Sequence, residues 1–137
     1  MTRFNILLSE GVDFVINSFI YMCGGELFVP KIPSYNIIDM AKAIGPDCKL
    51  EFVGIRPGEK IHEEMITVSD SYNTFDLGKF YVIASPILME NIENHYKKLN
   101  MKISIVEKGF KYNSGENKHF LSIEEIKDLF VSYLEDH

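Results

Sequence analysis

The sequence predicts an α/β fold, α+β in appearance, built from short strands and amphipathic helices. Apolar residues recur at helical spacing in several stretches. Other short apolar runs are bounded by glycine or proline, as strands are. Few strand–helix–strand units follow one another along the chain, which favours short strands mixed with helices. The chain of 137 residues suits one domain with its own hydrophobic core.

The first half of the chain alternates predicted strands and helices. Residues 4–8 form a short apolar run, and Ser9 is placed to cap the helix that follows. Gly24 and Gly25 end that helix. Residues 26–30 predict a strand, and residues 37–44 predict a second amphipathic helix, which stops at Gly45 and Pro46. Residues 49–55, KLEFVGI, predict the next strand.

The second half has weaker patterns. Residues 59–66 favour a short helix, and residues 79–84 give the clearest remaining strand. Residues 86–100 have partial helical spacing, and residues 102–115 contain one or two strand-like pieces. Ser122 and Glu125 form a capping box for a last helix that runs through Leu134.

Composition and charge exclude several classes of protein. The net charge of −6 argues against nucleic-acid binding. No run of 18 apolar residues occurs, and the first residues are not a signal peptide, so we expect no membrane contact and a cytoplasmic location. Cys23 and Cys48 lack metal-like spacing and fit a reduced compartment. The stretch HEEMI lacks the second histidine of a zinc-protease helix, because Ile66 stands there, and we predict no metal site.

The stretch VGIRPGEKIHE carries the strongest functional signal. Arg56 offers a planar set of donors that matches phosphate oxygens. Pro57 and Gly58 favour a tight turn, and Glu59 supplies an acceptor for the hydroxyls of a ribose. These residue types predict a turn that binds a nucleotide sugar. The alternative is a surface turn with an internal ion pair between Arg56 and Glu59.

Two further basic residues are candidate phosphate ligands. Arg3 lies just before an apolar run, and Lys31 lies in a stiff loop between two prolines. For both residues an ordinary surface position is the alternative.

Five motifs occur in a fixed order and resemble one family over nearly the whole chain. They are MTRF with EGVDFV, GGELFVPKIPS, DMAKA, GIRPGEKIHEEMI and FKYNSGENKHFLSIEEI. Together they resemble the C-terminal part of the inverting UDP-N-acetylglucosamine 4,6-dehydratases, extended short-chain dehydrogenase/reductase enzymes of surface-polysaccharide and flagellin glycan biosynthesis. Tyr112, Asn113, Ser114 and Asn117 favour the dehydratases over generic nucleotide-sugar epimerases.

This resemblance implies a small substrate-binding domain that lacks the Rossmann cofactor domain. It implies one domain over residues 1–137, with a C-terminal extension from about residue 85. In the family, the arginine of the Arg-Pro-Gly-Glu turn contacts the UDP pyrophosphate and its acid contacts the ribose, which match Arg56 and Glu59. The arginine of MTRF lies toward the nucleotide and matches Arg3. Lys31 is assigned from its loop position.

The family's catalytic elements have no counterpart in this sequence. No Gly-rich dinucleotide turn occurs, and none of the seven tyrosines has a lysine four residues later. We therefore expect no catalytic residue and no cofactor in this chain, with NADP bound by a missing domain. The abrupt apolar start suggests a truncated or split protein. The expected partners are a UDP-sugar and a separate Rossmann-domain chain, in an enzyme that is a homo-oligomer.

Three hypotheses for function follow. The first is the UDP-sugar-binding portion of a dehydratase, which predicts Arg56 and Glu59 on one cleft and an exposed apolar face for the cofactor domain. The second is a non-catalytic binding or interaction module with that face covered. The third is a remnant with no ligand. Among enzymes, the alternative is a UDP-sugar epimerase.

Overall fold

The computed structural model describes residues 1–135, so the last two residues of the predicted domain lie outside the described residues. Residues 1–135 form eight short strands and four helices, besides two single turns of 3-10 helix. The strands are β1 (Thr2–Phe4), β2 (Leu27–Pro30), β3 (Ser34–Asn36), β4 (Glu64–Ile66), β5 (Thr74–Asp76), β6 (Phe80–Ile83), β7 (Ser104–Ile105) and β8 (Tyr112–Asn113). The helices are α1 (Leu8–Tyr21), α2 (Ile37–Ile44), α3 (Met89–Lys98) and α4 (Ile123–Glu135).

Within the described part of the chain, the strands form three small sheets. The largest has the order β2-β6-β5-β7, and its neighbouring strands are antiparallel. Val29 lies opposite Tyr81, and Phe75 lies opposite both Val82 and Ile105. β1 pairs with β3 in a second antiparallel sheet, and β4 pairs with β8. This mixture of helices with short antiparallel strands confirms the predicted α/β class and its α+β appearance.

The chain divides into two compact units that alternate along the sequence. The first unit contains Met1–Asn5, Ile32–Glu63 and the residues from Asn113 onward. The second unit contains Ile6–Lys31 and Glu64–Tyr112. The predicted extension from about residue 85 begins inside the second unit. The prediction of one domain over residues 1–137 stays a prediction.

The second unit holds a hydrophobic core between its sheet and two helices. Seven buried residues form this core: Phe75, Leu77, Phe80, Val82, Ala84, Ile92 and Tyr96. Phe80 lies at its centre, with its ring 6.1 Å from those of Phe14 and Tyr21 and 5.5 Å from that of Phe28. Burying a side chain as large as Phe80 contributes about 1.5–3 kcal/mol to stability. Phe14 and Tyr21 pack against Phe80 and thereby attach α1 to the sheet.

The first unit is built on β1, β3 and the pair α2 and α4. Asn36 caps α2 by accepting a hydrogen bond from the Ile38 amide at 2.9 Å. Ser122 caps α4, and Ile126 in that helix is 1% exposed. The buried Ser34 exchanges backbone hydrogen bonds with the segment that precedes α4. These contacts bring residues 113–122 against β3.

Two predicted elements are wrong. Residues 49–55 form no strand, and residues 59–66 form no helix. Instead, residues 46–62 are all exposed and have no helix or strand, and residues 64–66 form β4. An apolar run becomes a strand only when another strand pairs with it, and residues 49–55 have no such neighbour among residues 1–135. We call residues 46–62 the exposed loop.

Candidate functional site

The Arg-Pro-Gly-Glu turn lies in the exposed loop and is closed by its own backbone and by Glu59. The Glu59 amide donates to the Arg56 carbonyl at 3.0 Å, and the Arg56 amide donates to Glu59 Oε2 at 3.1 Å. Gly58 has a φ of 81°, a conformation that side-chain-bearing residues rarely adopt. The sequence therefore gives a defined turn here although the surrounding loop has no regular structure.

The Arg56 guanidinium makes no hydrogen bond or ion pair within residues 1–135. Arg56 and Glu59 are both exposed. Their side chains do not form the internal ion pair that was the alternative to ligand binding, because the Glu59 carboxylate binds the Arg56 backbone amide instead. The five donors of the guanidinium are thus available to an anion from solvent.

Arg3 has internal partners. Its Nη1 donates to the Thr2 carbonyl at 2.7 Å and to the Ile61 carbonyl at 3.4 Å. Its Nε lies 3.7 Å from the Glu63 carboxylate, which also accepts the Phe4 amide at 2.8 Å. Arg3 therefore joins β1 to the end of the exposed loop. The structure brings it to residues 61–63, where it holds backbone and carboxylate groups of the protein.

Lys31 is also paired, and it belongs to the second unit. Its Nζ lies 2.6 Å from Asp76 Oδ1 and 4.3 Å from the centre of the Tyr81 ring. Burial, together with the charge on Asp76 and the nearby Tyr112 hydroxyl, raises the pKa of Tyr81 to about 12. The charge of Lys31 is thus balanced by Asp76 and by the face of an aromatic ring.

A cluster of polar residues in the first unit was missed by sequence reasoning. Thr2 and Ser114, 6% and 0% exposed, lie beside the exposed His62. Thr2 Oγ1 is 2.8 Å from both His62 Nδ1 and Ser114 Oγ, and Ser114 Oγ accepts the Glu63 amide at 2.9 Å. The motifs MTRF, GIRPGEKIHE and FKYNSG each contribute to it. No local pattern could show that residues 2, 62 and 114 meet.

Neither a metal cluster nor a membrane span is found in the described part of the chain. Among residues 1–135, no group of three histidine, cysteine, aspartate or glutamate side chains could hold a metal ion. Within the same residues, no helix has both the length and the apolarity that crossing a bilayer requires.

A family model described as a polysaccharide biosynthesis protein matches residues 1–85, more than half of the chain. The chain belongs to this family. The segment that matches the family model contains Arg3, Lys31, Arg56 and Glu59, whereas Ser114 lies beyond it.

Individual relatives agree with this family. A UDP-N-acetylglucosamine 4,6-dehydratase (inverting) from Campylobacter jejuni strain 81-176 is 40% identical over 131 residues, which cover 94% of this chain and 39% of the relative. A UDP-glucose 4-epimerase from Rickettsia felis is 32% identical over 136 residues, which cover 96% of this chain and 39% of the relative. The predicted resemblance to the inverting dehydratases is confirmed as a similarity.

A solved structure extends the comparison to the fold. The X-ray structure of Pen from Bacillus thuringiensis superposes with a TM-score of 0.74 at 25% identity, and the match covers 98% of this chain and 39% of that chain. The chain thus spans about two fifths of the length of these relatives. Its α/β fold is that of a known protein over nearly all its residues.

Proposed function

We propose that this chain is the UDP-sugar-binding portion of a C5-inverting nucleotide-sugar 4,6-dehydratase that acts in surface polysaccharide or flagellin glycan biosynthesis. The observation that carries the proposal is the Arg56 guanidinium, exposed and unpaired within residues 1–135, on a turn closed by Glu59. The 40% identity to an inverting dehydratase supports the choice of substrate class.

Arg56 and Glu59 have complementary roles in this proposal. The guanidinium binds the pyrophosphate through parallel N–H donors. Glu59 uses Oε2 to close the turn, and its second carboxylate oxygen accepts a hydrogen bond from a ribose hydroxyl. Arg3 and Lys31 stay predicted ligand residues. Each would have to exchange a partner, Glu63 or Asp76, for a phosphate.

The described residues do not fit the NADP that the dehydratase family implies. A dinucleotide site needs a parallel strand followed by a Gly-rich turn, whereas neighbouring strands of the four-stranded sheet here are antiparallel. We therefore assign hydride transfer to polypeptide other than residues 1–135 and derive no catalytic step from this chain.

We further propose that the cofactor-binding polypeptide, within the same protein or as a separate chain, packs on the outer face of α1. This face, the apolar surface of α1, has six exposed side chains: Leu8, Val12, Val15, Ile16, Phe19 and Ile20. Leu8 is 84% exposed and Phe19 is 70% exposed, and the start of α1 lines a cavity of about 550 Å³ whose walls are almost entirely apolar. Apolar patches of this kind mark interaction surfaces.

We propose a homo-oligomeric enzyme in the cytoplasm, where the exposed Cys23 and Cys48 stay reduced.

Calorimetric titration of the chain with UDP tests the binding role. Arg56→Ala should weaken UDP binding by about 1.5–3 kcal/mol, the range for a charge-assisted hydrogen bond. Lys49→Ala is the matched control, because it removes one positive charge from the same exposed loop. Equal affinities for the Arg56→Ala variant and the wild-type chain would remove Arg56 from the site.

The 32% identity to a UDP-glucose 4-epimerase favours a second candidate, a UDP-sugar epimerase. In either case we propose that the Arg-Pro-Gly-Glu turn of this chain binds UDP, and only a dehydratase releases water. The reaction product of the chain assembled with its cofactor-binding polypeptide distinguishes them by mass, because loss of water lowers the sugar mass and epimerisation leaves it unchanged. A chain that binds UDP yet supports neither reaction would be a stand-alone binding module.

A further inference from the structure

The hydrogen bonds around His62 determine which ring nitrogen carries hydrogen. Two close contacts link side chains: His62 Nδ1 to Thr2 Oγ1 at 2.8 Å, and Thr2 Oγ1 to Ser114 Oγ at 2.8 Å. A third joins Ser114 Oγ to the backbone carbonyl of Thr2 at 3.1 Å. Each contact needs one hydrogen. The two hydroxyl groups supply two, and a carbonyl supplies none.

The third hydrogen must therefore come from His62 Nδ1. Ser114 donates to the Thr2 carbonyl, Thr2 donates to Ser114 Oγ, and Nδ1–H donates to Thr2 Oγ1. The Glu63 amide supplies its own hydrogen to Ser114 Oγ at 2.9 Å. This assignment satisfies every contact once, and the other tautomer would leave two acceptors facing each other. The neutral ring then has an unprotonated Nε2, which accepts hydrogen bonds.

Gly115, which has no Cβ, leaves room for the His62 ring in this position. A Cβ at Gly115 would lie 2.5 Å from His62 Nδ1 and 2.7 Å from Cγ, closer than real atoms approach. The ring thus packs directly on the Gly115 backbone, next to the buried Ser114. A histidine oriented through one nitrogen, with the other facing outward, is the usual arrangement of functional histidines.

His62 Nε2 has no hydrogen-bond partner within residues 1–135, and the residue is exposed. It belongs to the exposed loop, three residues after Glu59. We propose that His62 is a further ligand-binding residue of this loop, which presents Nε2 as an acceptor for a ribose or hexose hydroxyl. The inference rests on the proposed UDP-sugar function, and it names a contact that the Arg-Pro-Gly-Glu turn does not include.

The tautomer can be measured on the chain without ligand. Long-range ¹H–¹⁵N correlation spectra recorded at pH 8 should show hydrogen on His62 Nδ1. Ser114→Ala and Thr2→Val should shift His62 toward the Nε2–H tautomer, which predominates in free histidine. Hydrogen on Nε2 in the wild-type chain would overturn the inference.

The ligand contact is tested with three probes. UDP offers ribose hydroxyls, UDP-N-acetylglucosamine adds hexose hydroxyls, and inorganic pyrophosphate has no sugar hydroxyl. His62→Asn keeps an amide donor near the Nδ1 position and lacks the Nε2 acceptor. We expect it to raise the dissociation constant of a hydroxyl-bearing probe by roughly two- to tenfold and to leave pyrophosphate binding unchanged.

The response of the two nucleotides identifies the hydroxyl. A loss of affinity for both indicates a ribose hydroxyl, and a loss for UDP-N-acetylglucosamine alone indicates a hexose hydroxyl. His119→Asn is the matched control, because His119 is exposed in the same unit and its side chain lies outside the cluster. If the His62→Asn variant binds all three probes with the affinities of the wild-type chain, the proposed contact between His62 Nε2 and a sugar hydroxyl is overturned.

Failure of the inference can be told apart from failure of the proposed function. A shift of the Arg56 signals with UDP, without a shift at His62 Nε2, would remove His62 from the site and leave Arg56 in it. If no probe shifts any signal of the exposed loop, the proposed function fails and the His62 contact fails with it.

Discussion

Lys31 shows how a residue's surroundings change the interpretation of its sequence position. From its loop between two prolines it was predicted to bind phosphate. The structure instead gives it Asp76 at 2.6 Å and the Tyr81 ring at 4.3 Å. Binding a phosphate would stabilise Lys31 less than Arg56, because Lys31 already has both partners and the Arg56 guanidinium is unpaired within residues 1–135.

Substitution of Lys31 decides between the two roles. Lys31→Gln should lower the free energy of unfolding by about 1 kcal/mol, because a partly exposed ion pair and a cation–π contact each contribute less than that. UDP affinity, measured by calorimetry, tests the ligand role. Lys42→Gln, on the exposed side of α2, is the control for loss of charge. A fall in UDP affinity without loss of stability would support Lys31 as a ligand residue, and unchanged affinity would remove it from the site.

The helix α4 shows how far local sequence determines an element. The predicted capping box is present: the Ser122 amide donates to Glu125 Oε2 at 2.8 Å, and the Glu125 amide donates to Ser122 Oγ at 3.2 Å. The hydrogen bond from the Ser122 amide lowers the pKa of Glu125. Because the folded-state pKa is lowered, this contribution to stability is present above the ordinary pKa of glutamate and is lost as the pH falls through the lowered value.

Removing the cap should therefore weaken α4. Ser122→Ala should reduce the free energy of unfolding at pH 7 by about 1 kcal/mol, the usual effect of losing an N-cap hydroxyl. Denaturant titration followed by circular dichroism measures it. Ser132→Ala, which removes an exposed hydroxyl within α4, should change stability much less. Similar losses in both variants would show that the cap does not stabilise this helix.

On the scale of the whole molecule, the apolar surface of α1 is a face that residues 1–135 leave uncovered. Phe14 and Tyr21 pack on the core of the second unit, while Ile16, Phe19 and Ile20 stay more than half exposed. A helix with apolar residues on both sides is normally buried on both sides. In the proposed function, the cofactor-binding polypeptide covers this face.

The uncovered surface should make the isolated chain self-associate. Sedimentation velocity should show a weight-average mass that rises with concentration for the wild-type chain. Ile16→Lys combined with Phe19→Lys should remove this rise, because charges on the face oppose apolar contact. Asn17→Lys combined with Asn94→Lys adds the same charge at exposed polar positions outside this face and should still associate. Equal behaviour of both double variants would assign the association to another surface or to net charge.

Local patterns predicted the elements whose boundaries depend on nearby residues. The helix α2, the strands β2 and β6, and the capping box of α4 lie where spacing, glycine and polar caps placed them. The Arg-Pro-Gly-Glu turn formed as well, since Gly58 and Glu59 supply its conformation and its hydrogen bond from within four residues.

Tertiary structure decided the features that join distant positions. Residues 49–55 have a strand-like composition, but a strand requires a partner and none pairs with them within residues 1–135. The cluster of Thr2, His62 and Ser114 joins residues separated by 60 and 112 positions. The sequence by itself determined the family, most of the short elements and the Arg-Pro-Gly-Glu turn, because these arise from local conformation and residue chemistry. The partners of Arg3, Lys31 and His62 were decided only by folding, because hydrogen bonds and ion pairs depend on distance in space.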